Sequence, residues 1–300
     1  MFQCQEVSAI SYVIDNDSII VDTITGEICH NLSEGSLILT SEDLQRQQAE
    51  KQRIRESAQK RTEKEITRYR GKREKFYFML SEQSLNLSPV DATRLIYLST
   101  YVGYNTDQLL SGYKGKKMKR SDLPQILDVS ADTADRFWQA VTGEYIIEDA
   151  DGYLHVNSDW IFRGRIRDYR QYQQFYDTAI RKLYRSATRE SRKKIGYIFN
   201  LLPYINREWN VLSVNPDETD LDSVQPMSIT EFCERTGLDK SHIKRTLQQF
   251  RSIRFKTDKG LERLISIVND GSAIVINPNI LYVGTNINRV KVYTLFFKDI

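Results

Sequence analysis

Histidine, cysteine and long apolar runs are scarce in this sequence, and each shortage removes a class of function. Three histidines cannot supply the paired ligands of a zinc site or of a rolling-circle nickase, and Cys29-His30 has no second pair to complete it. The three cysteines, Cys4, Cys29 and Cys233, are odd in number and far apart, which argues for a reducing compartment and against a disulfide framework. The glycines form neither a Walker-type phosphate loop nor a dinucleotide fingerprint. No apolar run nears the ~20 residues needed to span a bilayer, and the first residues lack a basic-then-apolar secretion pattern. The expectation is a cytoplasmic protein that is not an enzyme, with no cofactor, no metal and no membrane contact.

Charge is present but segregated. The net value of +3 hides eight acidic residues and no Lys or Arg in residues 1–45, twelve basic against five acidic in 46–75, and eleven basic against three acidic in 163–194. Blocks of this kind point to a polyanionic partner, although solvated helices carry them too.

In chain order, residues 1–40 read as a small acidic β segment, with short strands at Ile10–Ile14, Ser18–Asp22 and Ser36–Thr40 and a turn at Thr25-Gly26. Residues 41–75 read as a charged helical arm, free of Gly and Pro until Gly71 and without a wide apolar stripe. A globular region follows over 76–165, opened by Ser88-Pro89, a cap with proline at the first helical position. Residues 166–187 read as a basic-aromatic connector helix, with Tyr172, Phe175 and Tyr176 at helical spacing against a domain. A second globular region spans 188–300.

The stretch Met227–Phe250 reads as helix, turn, helix. Thr230 is a candidate first cap, Gly237 supplies the left-handed break, and Asp239 caps a second helix over Asp239–Arg251. Ile243, Leu247 and Phe250 give that helix its apolar side and leave Ser241, Lys244, Arg245 and Gln248 outward. A recognition helix needs one face to hold it and a polar, basic face to reach base edges and phosphates. An ordinary helical hairpin has the same local pattern.

The two globular regions align with each other. Leu95–Leu110 matches Ile195–Asn210 at an offset of 100, with Tyr97 over Tyr197 and Tyr104 over Tyr204. Met118–Val141 matches Met227–Phe250 at an offset of 109, and Tyr145–Gly164 matches Ile265–Gly284 at an offset of 120 with Asn157 over Asn277. Each copy then runs helix, helix-turn-helix and β-hairpin. The hairpins are expected at Tyr145–Glu148 with Tyr153–Asn157, and at Leu264–Val268 with Ala273–Asn277 about a turn at Asp270-Gly271. The fold class implied is α+β, mainly helical, with two tandem winged-helix domains joined by a long basic helix.

On this architecture, over residues 76–300, the chain resembles plasmid replication initiators of the tandem winged-helix type, and phage- and plasmid-borne winged-helix regulators. The resemblance implies binding of specific double-stranded DNA, self-association as a homodimer, and contact with host replication or transcription proteins. It leaves transcription regulation and DNA replication as alternative roles, the regulator being preferred.

The expected DNA-binding residues are concentrated in the second copy: Lys240, Ser241, His242, Lys244, Arg245 and Gln248, then Arg251, Arg254 and Lys256 in an insert of about eleven residues after the helix. The first copy offers Lys116, Lys117, Lys119, Arg120 and Arg136, but its second helix carries Asp132 and Asp135 where the other has Ser241 and Lys244. Arg181 and Arg185 in the connector are candidates for phosphate contact. Two further readings compete. Winged helices also serve as protein docks in scaffolds. And His242-x-x-Arg245 with Tyr282 or Tyr293 downstream has the sequence pattern of a tyrosine recombinase.

Overall fold

The computed structural model describes residues 12–14, 20–22, 45–46, 48–57, 60, 75–79, 85–104, 107–164, 172–257, 260–268, 273–284 and 297. It divides into two compact units, residues 1–64 and 65–300. In the first, β1 (Tyr12–Ile14) pairs antiparallel with β2 (Ile20–Asp22), Tyr12 opposite Asp22, so two of the expected strands form one ladder. Residues 48–57 are helical and exposed, as a sequence without an apolar stripe requires. The strand expected at 36–40, the turn at Thr25-Gly26 and the basic end of the arm at 61–74 lie outside the described residues.

The second unit is α+β, with helices packed beside small antiparallel sheets. Its first strand, β3 (Lys75–Met79), takes Lys75 out of the expected helical arm. Helix α1 (Pro89–Ser99) follows, capped by Ser88, whose Oγ accepts from the Asp91 amide at 3.3 Å, with Pro89 in the first turn as expected. Then come α2 (Leu123–Leu127), α3 (Ala131–Val141), the hairpin β4 (Ile146–Glu148) with β5 (Leu154–Val156), and β6 (Ile161–Phe162).

The connector is not one helix. Residues 172–176 form strand β7, α4 covers Asp177–Ser186, and α5 covers Arg189–Asn200. Tyr-Gln-Gln-Phe-Tyr is a sequence suited to strands. Extended here, it pairs with β3 and buries Phe175 flat against Phe76, centroids 5.2 Å apart. Ala187 is extended and Thr188 starts the next helix, its Oγ1 accepting from the Ser191 amide at 3.2 Å, so α4 and α5 are separate. The chain continues through α6 (Ile229–Thr236), α7 (Ile243–Arg251), a hairpin of β8 (Arg254–Thr257) with β9 (Gly260–Arg263), and a second of β10 (Ile265–Val268) with β11 (Ala273–Ile276).

The alignment of the copies reappears as matched hydrogen bonds. Leu110 donates its N–H to the Leu154 carbonyl at 2.8 Å, and Leu212 donates to Ile274 at 2.9 Å. Met118 donates to Leu110 at 3.0 Å, and Met227 to Leu212 at 2.8 Å. Asn157 and Asn277 each turn the chain after their hairpins. Their Oδ1 atoms accept from Asp159 at 3.0 Å and from Asn279 at 2.8 Å, and each Nδ2 donates to a carbonyl at 2.8 Å. Buried pairs agree at the offset of 109: Leu123 with Phe232, Trp138 with Leu247, and Val141 with Phe250.

One segment is corrected. Ser111 donates to the Tyr101 carbonyl and Ser213 to that of Tyr204, so Tyr101 holds the place expected of Tyr104. The register slips after α1 because the second copy has extra residues there. Gln108 and Asn210, both at positive φ, are the matching positions.

The copies meet about an approximate internal two-fold axis. In the β3–β7 ladder, Phe76 faces Phe175, Tyr77 faces Gln174 and Phe78 faces Gln173. Outside it, Ile161 pairs with Phe78 and Leu281 with Phe175. The same operation relates α1 to α5, which run antiparallel. Thr93 Oγ1 donates to the Arg192 carbonyl at 2.7 Å, and a Cβ placed on Gly196 would stand 1.5 Å from the Pro89 carbonyl oxygen. Glycine is required at that crossing because backbone meets backbone.

Candidate nucleic-acid interface

The helix pair α6–α7 is built by local signals. Ser228, not Thr230, caps α6. Its Oγ accepts from the Glu231 amide at 3.2 Å while Glu231 Oε2 accepts from the Ser228 amide at 2.9 Å. That backbone N–H holds the Glu231 carboxyl below its ordinary range. Gly237 closes the helix at φ 68°. Asp239 Oδ1 accepts from the Ser241 amide at 2.8 Å, which likewise lowers the Asp239 carboxyl, and residues 240–242 make one 3-10 turn before α7 starts. Phe232 meets Phe250 edge-on at 5.8 Å, and burial of Leu247 and Phe250 fixes the rotation of α7. Cys233 on α6 is itself buried, which pushes its thiol up.

That rotation leaves Ser241, His242, Arg245 and Gln248 exposed on one face. The side chain of Lys244 lies outside the described residues. Lys240 is exposed but paired with Glu234 at 2.9 Å. Arg251 is half-buried and donates to the Ile267 carbonyl at 3.3 Å, so it braces β10 against α7. The insert forms the additional hairpin β8–β9, which packs on α4 and places Lys256 on its exposed side. Arg254, half-buried in β8, donates to the Ser252 carbonyl at 3.3 Å.

The equivalent face of the first copy is neutralised. Arg136 pairs with Asp132 one turn away, and Arg120 with Asp135 at 2.9 Å. Lys116 pairs with Asp122 at 3.1 Å, and the Lys119 backbone N–H, with Lys116, depresses that carboxyl. Lys117 and Lys119 both stand over the ring of Tyr153 in the hairpin, at 4.6 and 4.7 Å. These clamps tie the 116–120 loop to β4–β5.

In the connector the two arginines differ. Arg181 is half-buried, bonded through Nε to Thr100 Oγ1 at 2.9 Å and laid over Tyr101 at 4.6 Å, so it braces α4 against the end of α1. Arg185 is exposed. Sequence reasoning missed a buried ion pair between Arg163 and Asp177, whose side chains are 3% and 1% exposed and join the end of the first copy to the start of α4. Tyr282, a nucleophile candidate under the recombinase reading, is buried and hydrogen-bonded through its amide to Gln174, whereas His242 and Arg245 are exposed. Tyr293 lies outside the described residues.

Among the described residues no group of three or more His, Cys, Asp or Glu is placed to hold a metal, and no helix is long and apolar enough to cross a membrane. No family model matches the chain, and neither does any curated protein or solved structure.

Proposed function

We propose that the chain is a sequence-specific double-stranded DNA-binding protein made of two tandem winged-helix domains, with α7 as its reading helix. The observation that carries this is a contrast between matched surfaces. Residues 240–257 contain six Lys or Arg and no acid; α7 buries one side, and Ser241 and His242 of the turn before it are exposed with Arg245 and Gln248 on the other. The matched face of α3 is cancelled by Asp132 and Asp135. Arginine and glutamine make bidentate contacts to guanine and adenine, and a surface with an excess of basic residues draws in the phosphate backbone, even with Glu234 beside Lys240 and Glu190 near Arg245. The second copy reads and the first supports it.

The test is selection of bound duplexes from a random library, followed by affinity measured across a salt series. One preferred sequence is expected. Arg245→Ala weakens it and, if it contacts a phosphate, lowers the salt slope by about one. Gln248→Ala relaxes the preference at one base pair. No enriched sequence and no salt-dependent affinity would refute the reading. A compact footprint on an intact duplex fits a transcription regulator, the favoured role. Iterated sites with local melting fit a replication initiator.

A further inference from the structure

A cleft of about 690 Å³ opens where α1 and the 111–128 segment of the first copy meet α4 and α5. Four cations line it: Lys116, Arg181, Arg185 and Arg192. Against them stand Asp122, already paired with Lys116, and Asp128, 88% exposed and 3.6 Å from Arg192. Arg181 and Arg185 have no carboxylate partner among the described residues, so the cleft carries excess positive charge. Its volume falls within the ~300–1,000 Å³ of small-ligand sites.

The aromatic rings in the cleft decide what kind of ligand fits. Tyr97 is stacked on Tyr184 at 3.9 Å, and Arg192 covers the Tyr184 ring at 4.0 Å. Arg181 covers Tyr101. With these faces occupied, a base or other flat ring has little to stack on. What remains are hydroxyls and guanidinium edges. The Tyr97 and Tyr101 hydroxyls lie 2.9 Å apart, so one donates to the other and the second keeps its proton for a further acceptor. Like any tyrosine hydroxyl, that of Tyr97 is protonated and a donor at neutral pH, and burial pushes it further up, to about 12. Arg185 reaches both hydroxyls and, being exposed, has donors to spare. Arg181 uses Nε and one terminal nitrogen on Thr100 and keeps the rest of its fork.

We propose that this cleft binds a phosphate group, with Arg185 as its principal ligand and Arg181, Lys116 and the tyrosine hydroxyl pair completing the shell. A tetrahedral dianion accepts hydrogen bonds on all sides and needs no stacking surface, which is what the cleft offers. The phosphate belongs either to a diffusible ester or to a DNA backbone. In both cases it bridges the two copies, since Lys116 and Tyr101 come from one and Arg185 lies on the helix leading to the other. The site stands on its own geometry and does not rest on the DNA reading.

The experiment is calorimetric titration of the full chain, without DNA, with pyrophosphate at ionic strength held constant by chloride. Saturable one-site binding is expected. Arg185→Gln weakens it by about tenfold or more, the scale of a charge-assisted hydrogen bond. Tyr101→Phe, which keeps the ring under Arg181, weakens it less at unchanged melting temperature, and reports the site should Arg185→Gln disturb folding. Heats that never saturate, or that are the same in both variants as in the parent, overturn the proposal. Adding a selected duplex identifies the source. Competition with pyrophosphate marks the backbone, and simultaneous binding marks a diffusible ester. A chain with no DNA affinity still gives the pyrophosphate result, so the two readings fail separately.

Discussion

Replacing Gly196 by alanine should destabilise the 65–300 unit, against the usual rule for helices. In a helix interior Gly→Ala ordinarily gains ~1 kcal/mol, from lower backbone entropy in the unfolded chain and better helix propensity. Here the added Cβ would lie 1.5 Å from the Pro89 carbonyl oxygen and 2.2 Å from its carbon. The obstacle is backbone, so no rotamer change relieves it, and α5 must withdraw from α1 by about 2 Å to reach an ordinary contact. Overpacking a well-packed site costs about 1–3 kcal/mol, and withdrawal also loosens apolar contacts along the pair, so the upper end applies. After subtracting the propensity gain the net loss is about 2 kcal/mol, or ~4–8 °C in melting temperature for a unit of this size. Urea unfolding with both variants at equal protein concentration reads it directly. Gly237→Ala is the control, since nothing lies within 4 Å of its added Cβ and only the left-handed backbone resists. A Gly196→Ala midpoint equal to or above the parent's would refute the close crossing of the two copies.

Two other perturbations test the frame. Arg163→Met removes the guanidinium that pairs with the buried Asp177 carboxylate and should cost up to about 3–5 kcal/mol by urea unfolding. The double variant Arg163→Met/Asp177→Leu should recover much of this loss, and no recovery would argue against a specific pair. Acid sensitivity follows from Glu231 and Asp239, whose folded carboxyls are depressed by backbone N–H donors. Groups lowered in this way stabilise the fold above the ordinary carboxylate range, and that stability is lost as pH falls through their folded values. Glu231→Gln should therefore flatten the acid limb of a stability–pH curve, and an unchanged limb would count against the capping box.

The parts of this fold that could be read from sequence are those set by neighbours along the chain. Leu247 and Phe250, with Gly237 before them, fix α7 by periodicity and by a left-handed stop, and the same spacing in Trp138 and Val141 made the duplication visible. Thr230 was the expected cap of α6, although the signal for Ser228 was present. Ser-x-x-Glu precedes the apolar residues, a stronger signal than Thr230 alone. Strand β7 was not legible, because Tyr172, Phe175 and Tyr176 have spacing that fits a helix as well, and their partner β3 is distant in sequence. Nor does a basic residue declare whether its head is free. Arg245 and Arg185 are exposed, while Arg181 and Arg251 of the same composition are turned inward to carbonyls. The residues of the cleft come from four separate segments and share no local pattern.

The internal two-fold has a consequence for how this molecule responds to dilution and to change. Two separate chains related by such an axis part when scarce, and a substitution in one is imposed on both. Here the halves are tethered, so their pairing is unimolecular and independent of how many copies a cell holds. Each half is also free to vary alone. One face carries Asp132 and Asp135 where its twin has Ser241 and Lys244, with Phe76 against Phe175 between them. A symmetric frame thus carries two unlike surfaces in fixed register.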